Sequence, residues 1–231
     1  MRGLGVFLLI IASPVVAIGD TTGIEETNYR AGISGRNSDS GNSFSFSGVV
    51  RAPLVNNTGI SLNVGLSEHN GVDNYVDQSN KSIGLGVFLR EYELGLIQLR
   101  YNYSETVADI PSSTLKMNTD SLSLFGIYYI HNFNFSLFRS ALKSDDGDKF
   151  NNLNIGLSYY FTDNFNTSLS FGGMESKDNN AISMYYQPKK FNNTIGISVN
   201  YSTSDRVDSY GLSVTYYFDT KVSLIDRNRR Y

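Results

Sequence analysis

Hydrophobic and polar residues alternate one by one along residues 150–173, where the pattern of the whole chain is clearest. The odd positions of residues 153–161 are apolar or aromatic, whereas the even positions of residues 152–158 are small or polar. Successive side chains of a β-strand point to opposite faces, so this alternation predicts a strand with one apolar face. The turn residues Asp163 and Asn164 follow, and the alternation then resumes. This stretch is therefore predicted to form a β-hairpin.

The same alternation predicts twelve strands along residues 28–218, joined by connections of two kinds. Connections after the even-numbered strands are mostly tight, as at residues 162–164. Those after strands three and five are long and polar and cover residues 68–80 and 105–118. The chain shows no helical periodicity of comparable length and no break in composition. Residues 20–218 are therefore predicted to form one all-β, antiparallel domain.

Two architectures fit this pattern: a soluble sandwich or barrel with its apolar face inside, and a transmembrane β-barrel with its apolar face toward lipid. Short connections at one end and longer ones at the other are typical of transmembrane barrels. The polar faces carry mainly glycine, serine, asparagine and threonine, and twelve strands enclose more space than such side chains fill. Aromatic residues cluster at the short-turn end, as in a membrane-interface girdle. These residues are Tyr92, Tyr129, Phe133, Tyr160, Phe161, Phe165, Phe191, Tyr217 and Phe218. The three features favour an antiparallel transmembrane β-barrel.

The alternation also assigns side chains to the two faces of the barrel wall. The residues predicted to face lipid include Leu62, Leu85, Leu99, Leu157, Leu169, Ile197 and Leu212. Those predicted to face the lumen include Asn63, Ser158, Ser170 and Ser198. A charge placed on the first set should destabilise the barrel, and a charge placed on the second set should not.

Residues 1–19 have the features of a secretory signal peptide. Arg2 supplies the positive charge, residues 4–12 form an apolar run, and small residues up to Ala17 form a cleavage site. The apolar run is too short to span a membrane as a helix. We therefore expect export through a signal peptide that is cleaved from the chain.

Two stretches carry a resemblance to a known group of proteins. Residues 159–165 place two strands around an aromatic-flanked turn, and residues 211–218 read GLSVTYYF. The chain resembles bacterial outer-membrane β-barrels, in which such an aromatic-ended strand is recognised during assembly. Its size and strand count are similar to those of small, monomeric, twelve-stranded channels for acidic oligosaccharides, although no motif of theirs is matched. The resemblance implies an outer-membrane location and a monomer. Residues 219–231 depart from the usual pattern, because they add a basic tail that we expect to lie in the periplasm.

Other kinds of chemistry find little support. The chain has no cysteine and a net charge of only −3, so thiolate chemistry and nucleic-acid binding are not expected. His69 could meet a serine at the outer rim, as in membrane-barrel hydrolases, but nothing supplies an oxyanion site. His131 lies at a turn, and Asp145, Asp146 and Asp148 lack the remaining ligands of a calcium loop. We expect no enzyme activity, no metal and no cofactor.

Five arginines fall on polar-face positions and are candidates for lining the lumen: Arg30, Arg36, Arg51, Arg90 and Arg100. By the predicted strand directions, Arg100 lies near mid-height and the others nearer the two mouths. Arg139 is also near mid-height, but the alternation from Phe133 aims it at lipid, at a cost of about 2–4 kcal/mol. A β-bulge near Leu137 and Phe138 would turn Arg139 inward, so we predict a bulge there.

The carboxylates of the predicted strands lie at their ends and in loops, so the mid-height arginines need water or an anion around them. This predicts a passive, narrow diffusion channel with a basic constriction and a modest preference for anions. In one alternative, loop acids such as Glu105 or Asp109 fold inward and plug the pore. In another, the chain is a structural or adhesive surface barrel with a closed lumen, which binds a partner through its outer loops. The predicted partners are outer-membrane lipids and small, anionic solutes.

Overall fold

The computed structural model contains twelve antiparallel strands that close into one barrel. The strands are β1 (Asn28–Ser38), β2 (Gly41–Pro53), β3 (Thr58–Gly71), β4 (Asp77–Glu91), β5 (Gly95–Ile110), β6 (Ser113–Ile130), β7 (Phe133–Ser144), β8 (Lys149–Thr162), β9 (Phe165–Met174), β10 (Lys177–Tyr186), β11 (Ile195–Ser204) and β12 (Val207–Tyr217). A 3-10 helix (Lys189–Phe191) precedes β11, and an α-helix, α1 (Leu224–Arg230), follows β12. The structure describes residues 26–72, 76–110, 113–174, 177–204, 207–218 and 221–230. The predicted signal peptide lies outside these residues.

Closure of the barrel gives every strand a hydrogen-bonding neighbour on both sides. β1 pairs with β12 from Arg30 opposite Tyr217 to Ser38 opposite Ser209, and each other strand pairs with its neighbours in sequence. A closed barrel leaves no row of unpaired N–H and C=O groups, which is what a strand structure needs inside a lipid bilayer. The predicted fold class, an antiparallel twelve-stranded barrel, is confirmed. The described part of the chain contains no helix that is long and apolar enough to cross a membrane.

The two ends of the barrel differ. At one end, which we call the turn end, lie the start of β1, the end of β12 and the connections at residues 54–57, 92–94, 131–132, 163–164 and 187–194. The opposite end is called the loop end. The predicted long loops at the loop end are wrong, because β3 continues to Gly71 and β5 to Ile110, and each pairs with the strand that follows. The β3–β4 hairpin is polar on both faces beyond Leu66, and in the β5–β6 hairpin the apolar residues Leu115 and Met117 take the inward phase. Neither hairpin continues the outward apolar pattern that marks the wall, while pairing still satisfies its backbone groups.

The faces of the wall agree with the prediction. Leu85 and Leu212 on the outward face are 62% and 53% exposed. Inward-facing serines meet across strand pairs, with the hydroxyl oxygens of Ser158 and Ser168 lying 2.7 Å apart. The remaining residues predicted to face lipid fall on the same outward phase of their strands.

The aromatic residues of the turn end divide into two groups. Phe133, Tyr159 and Phe161 form an outward chain of rings, with centroids 4.7 and 4.8 Å apart, as expected for a girdle. In contrast, three tyrosines that were predicted to belong to this girdle point inward and are at most 4% exposed: Tyr129, Tyr160 and Tyr217. For these three the prediction is wrong, because they lie on the lumen-facing phase of β6, β8 and β12. Their hydroxyl and ring surfaces are used inside the mouth of the barrel.

Candidate functional site

The lumen is the candidate site, and most of its wall is lined by small polar side chains. The hydroxyl oxygens of Ser34 and Ser45 lie 2.6 Å apart across β1 and β2. Asn63 on β3 donates a hydrogen bond of 3.1 Å to Asn102 on β5, passing over β4. A Cβ at Gly84 would lie 1.9 Å from the Asn102 oxygen, so the glycine leaves room for this bond. Such a wall is hydrophilic and leaves space for water inside the barrel.

Four guanidinium groups gather in the turn-end half of the lumen. Arg51 lies within electrostatic range of Arg30, Arg90 and Arg100. All four occupy inward-facing positions, near the start of β1 and β5 and the end of β2 and β4. Strands that run alternately up and down bring these positions to one level of the barrel, although they are far apart in sequence. We call these four residues the arginine cluster.

The wall around the arginine cluster is tightly packed. Arg100 donates a hydrogen bond of 3.1 Å to the Gln98 side chain, which in turn donates one of 2.8 Å to Ser61. Arg90 is only 2% exposed and its guanidinium lies 5.8 Å from the centroid of the Phe88 ring. Leu96 is also buried, packed with Phe88 against neighbouring inward residues. The cluster is therefore held in a fixed and partly dehydrated part of the lumen.

The cluster has an excess of positive charge. Among the described residues, Arg30, Arg90 and Arg100 have no carboxylate within 4 Å. In the same part of the chain, the Nε and one terminal nitrogen of Arg90 are buried without a hydrogen-bond partner. Like charges in a partly dehydrated site repel one another unless water or an anion stabilises them. This arrangement therefore favours an anion over a cation in the turn-end half of the lumen.

The remaining candidate arginines lie elsewhere. Arg36 is in the loop-end half, where its guanidinium donates hydrogen bonds of 2.8 and 2.5 Å to Ser202 and Ser209. It joins β1 to β11 and β12 and is separate from the arginine cluster. The cluster thus contains four of the six arginines singled out from the sequence, and Arg36 stands alone on the same lumen face.

The predicted inward orientation of Arg139 is wrong. Pairing of β7 with β6 and with β8 is regular throughout, so no bulge shifts the register near Leu137. Leu137 is 50% exposed whereas Ser140 is 6% exposed, which places Arg139 on the outward face. The inward position is taken by Phe138, opposite Phe125 of β6. A long arginine side chain can carry its charge along the apolar surface toward the membrane interface, which reduces the cost that motivated the bulge.

The acids that were considered as neutralising groups do not reach the arginine cluster. Glu105 lies on β5 and forms an ion pair of 2.6 Å with Lys116 of β6. Asp109 accepts a hydrogen bond of 3.1 Å from Thr114 near the tip of the same hairpin. Both interactions belong to the extended hairpin of the loop end, far along β5 from Arg100. The alternative in which these acids plug the pore is therefore wrong.

His69 also lies on the lumen face, at the loop end. It stands opposite Ser43 of β2 in the strand register. No hydrogen bond joins the two side chains in the described ranges. The residues described by the structure likewise contain no group of three or more histidine or carboxylate side chains that could hold a metal ion.

The basic tail contributes a feature that the sequence did not predict: α1 lies across the turn end. Its hydrogen bonds and ring contacts reach four of the five connections at that end. These four are residues 92–94, 131–132, 163–164 and 187–194. Gln187, which is fully buried, donates a hydrogen bond of 3.2 Å to the carbonyl of Val222 just before the helix. The helix therefore covers the mouth beside the arginine cluster.

The inward tyrosines are the partners of this helix. The Tyr129 hydroxyl donates to the carbonyl of Asn228 at 2.9 Å, and the Asn228 amide donates to the Tyr160 hydroxyl at 2.5 Å. At the β4–β5 turn, Tyr92 donates a hydrogen bond of 2.8 Å to Asp226. Burial, followed by the Asp226 carboxylate, raises the pKa of Tyr92, so its hydroxyl stays protonated and keeps this bond. The helix is thus fixed at both ends.

A sequence signal for this helix was present. Tyr160 falls on the polar, lumen-facing phase of β8, and Tyr129 and Tyr217 fall on the lumen phase of their strands. Large aromatic rings on that phase at one mouth require a partner inside the mouth, because they cannot contact lipid from there. The basic tail of residues 219–231 was the available segment.

Comparisons with known proteins show which solved structures share this fold. No protein-family profile matches the chain, and no curated protein sequence matches it. Among solved structures, it is similar to the KdgM porin in complex with disordered oligogalacturonate, with a TM-score of 0.63 and 13% identity over 82% of this chain and 99% of that one. The COG4313 outer membrane channel from Pseudomonas putida F1 gives a TM-score of 0.64 and 9% identity over 88% and 100% of the two chains. The outer membrane protein Omp33 from Acinetobacter baumannii gives a TM-score of 0.52 and 10% identity over 83% of this chain and 98% of that one. The chain has the closed, twelve-stranded barrel fold of these outer-membrane proteins.

Proposed function

We propose that this protein is an outer-membrane channel for passive diffusion of small solutes and that it prefers anions. The observation that carries the proposal is the arginine cluster, in which four guanidinium groups share one level of a hydrophilic lumen. Charged groups that line a narrow passage raise the local concentration of ions of opposite sign and so set selectivity. Three of the four have no carboxylate within 4 Å among the described residues, so the positive field is not cancelled locally.

The proposal includes a position in the membrane. The outward face carries exposed leucines and the ring chain of Phe133, Tyr159 and Phe161, which suits lipid and a membrane interface. Outer-membrane barrels have their short turns on the periplasmic side. We therefore place the turn end, with α1, in the periplasm and the loop end outside the cell, with the protein acting as a monomer after removal of residues 1–19.

The structural neighbours support a channel in general terms. Two of them are described as a porin and as an outer membrane channel, and the porin was solved with oligogalacturonate, which carries carboxylates. Sequence identities of 13% and 9% are too low to assign the substrate of a neighbour to this protein. The anion preference of this protein is therefore argued from its own arginine cluster.

A second candidate function has one observation in its favour. The helix across the turn end is compatible with a structural barrel whose lumen is closed. An adhesive role would need outer loops for a partner, but the described loop-end connections at residues 39–40 and 145–148 are short. The channel is therefore the function that the geometry supports best.

Single-channel recording separates these two candidates. Purified, refolded protein would be added to planar lipid bilayers after heat-modifiable migration on gels has shown that the barrel is folded. We expect discrete current steps of small unit conductance, because α1 and several buried side chains lie at the turn end. Folded protein that inserts without producing current steps would favour the closed structural barrel.

A further inference from the structure

The helix α1 depends on the barrel for its stability. It has seven residues, and isolated helices of that length are not stable in water. Its backbone is anchored at the β8–β9 turn, where the Leu224 and Ile225 amides donate hydrogen bonds of 3.0 Å to the Asn164 side chain and to the Asp163 carbonyl. Its position therefore depends on contacts with the mouth.

One face of α1 is sealed against the inside of the mouth. Leu224 and Arg227 are 2% and 3% exposed, and they are three positions apart, which places them on the same helix face. Tyr129, Tyr160 and Tyr217, which line the mouth, are at most 4% exposed. Burial on both sides of this contact leaves no gap for a solute between the helix and these tyrosines.

Arg227 makes the most specific of these contacts. Its guanidinium lies 3.7 Å from the centroid of the Tyr217 ring, and one of its terminal nitrogens donates a hydrogen bond of 3.0 Å to the Asn193 carbonyl. A guanidinium can lie over a ring with its face and donate hydrogen bonds from its edge, whereas the ammonium of lysine is a point charge without such a face. Arg227 therefore joins α1 to the end of β12 and to the β10–β11 connection.

We propose that α1 limits the size of the solutes that pass through the turn end, and that Arg227 is the positioning residue that holds it there. This inference rests on the channel function proposed above. The helix makes contacts from the β4–β5 turn to the end of β12, so a solute that crosses the turn end would have to pass beside it. Removal of the helix should widen the exit without changing the barrel wall.

A shortened chain that ends at Phe218 provides the direct test. It also restores the usual outer-membrane pattern in which the aromatic-ended strand is the last element. The full and shortened chains would be compared by single-channel conductance and by swelling of liposomes in sugars of increasing size. We expect the shortened chain to show a several-fold larger conductance and to admit larger sugars, and a synthetic peptide of residues 219–231 on the turn-end side to reverse both effects.

Point substitutions in the full chain provide the test if the shortened chain does not fold. Arg227→Ala should raise the size limit, Arg227→Lys should raise it less, and Lys221→Ala should leave it unchanged. Lys221 is exposed, and its substitution removes the same charge from the same segment without removing a contact. Lys221→Ala is therefore the matched control. A size limit in Arg227→Ala equal to that in Lys221→Ala would overturn the proposal.

The results also separate this proposal from the channel function. If folded full and shortened chains conduct equally and admit the same sugars, the channel stands and α1 does not limit it. If neither folded chain conducts, the channel function itself is wrong. A silent full chain and a conducting shortened chain would mean that α1 closes the mouth, as in the closed structural barrel, and would overturn its role as a size limit.

Discussion

The loop-end and turn-end halves of the lumen are built by the same strands but are lined by different chemistry. The loop-end half carries serine pairs, such as Ser34 and Ser45 with hydroxyl oxygens 2.6 Å apart, and one arginine bound to two serines. The turn-end half carries the arginine cluster, buried aromatic rings and α1. The alternation along a strand decides which side chains face the lumen. Their position along the strand decides whether they form a surface of hydroxyl groups or a group of charges.

This difference indicates where selection of solutes takes place. In the loop-end half, the Arg36 guanidinium is stabilised by two hydroxyl groups and the residue is exposed. In the turn-end half, Arg90 is buried and close to other cations. Coulomb interactions are stronger where the surroundings are less polar, so the turn-end half should determine the charge preference.

The wall that both halves share should tolerate charge on one face only. Leu157→Arg places a charge toward lipid and should lower the free energy of unfolding by about 2–4 kcal/mol. Ser158→Arg, one residue further along β8, faces the lumen and should have little effect. Urea unfolding of the protein refolded into lipid vesicles measures both values. Equal losses in the two variants would contradict the assignment of faces.

The outward placement of Arg139 predicts that removal of its charge raises the free energy of unfolding. Arg139→Leu removes a charge from the outward face, next to Leu137, and should raise the free energy of unfolding by up to about 2–4 kcal/mol, depending on its depth. Arg36→Leu, which removes a lumen charge that two serines stabilise, is the matched comparison and should not stabilise the barrel. The same urea unfolding experiment applies. A destabilised Arg139→Leu protein would mean that the charge has a favourable partner on that face.

The hydrogen bond between Tyr92 and Asp226 should contribute to holding α1. Tyr92→Phe removes this bond to a carboxylate, which at a half-buried turn should cost about 1 kcal/mol. Hydrogen exchange of the α1 amides should therefore become about fivefold faster. Tyr128→Phe is a control at the same end, because Tyr128 faces outward and is 51% exposed. Unchanged exchange in Tyr92→Phe would show that this bond does not hold the helix.

The smallest effect is expected for the arginine of the loop-end half. Arg36→Ala removes a positive charge from the lumen but leaves Ser202 and Ser209 bonded to each other at 2.7 Å. Because the arginine cluster remains, the ratio of anion to cation permeability should stay close to that of the unchanged protein. Reversal potentials measure this ratio. A large loss of anion preference in Arg36→Ala would place the selective region in the loop-end half.

The wall could be predicted from the sequence because its alternation is a local signal. Leu85 and Ser158 lie on the faces that period-two reasoning assigns to them. The same reasoning placed Arg139 outward, and the expected cost of a charge in lipid, with the apolar residues Phe138 and Leu142 on the other phase, argued for a bulge. The regular register of β7 shows that local periodicity is the stronger guide for a long side chain that can extend along the wall.

The two mouths could not be predicted in the same way. In the extended hairpin that carries Glu105 and Lys116, the apolar residues Leu115 and Met117 take the inward phase, so the outward apolar pattern that marks the wall stops before the strands end. The helix α1 is too short for a periodic signal, and its stability comes from contacts with residues such as Asn164 and Tyr217 that are distant in sequence. The arginine cluster was visible as inward-facing positions, but its gathering at one level depends on the strand register.

The central claim, an anion preference set in the turn-end half, is tested most directly by reversal potentials in a gradient of potassium chloride. Arg30 and Arg100 lie within electrostatic range of each other in the cluster, and neither is fully buried. We predict that the unchanged protein prefers chloride, that Arg30→Ala/Arg100→Ala loses most of this preference, and that the outward-facing Arg139→Ala keeps it. A preference for potassium in the unchanged protein, or the same reversal potential in the double variant, would contradict the account.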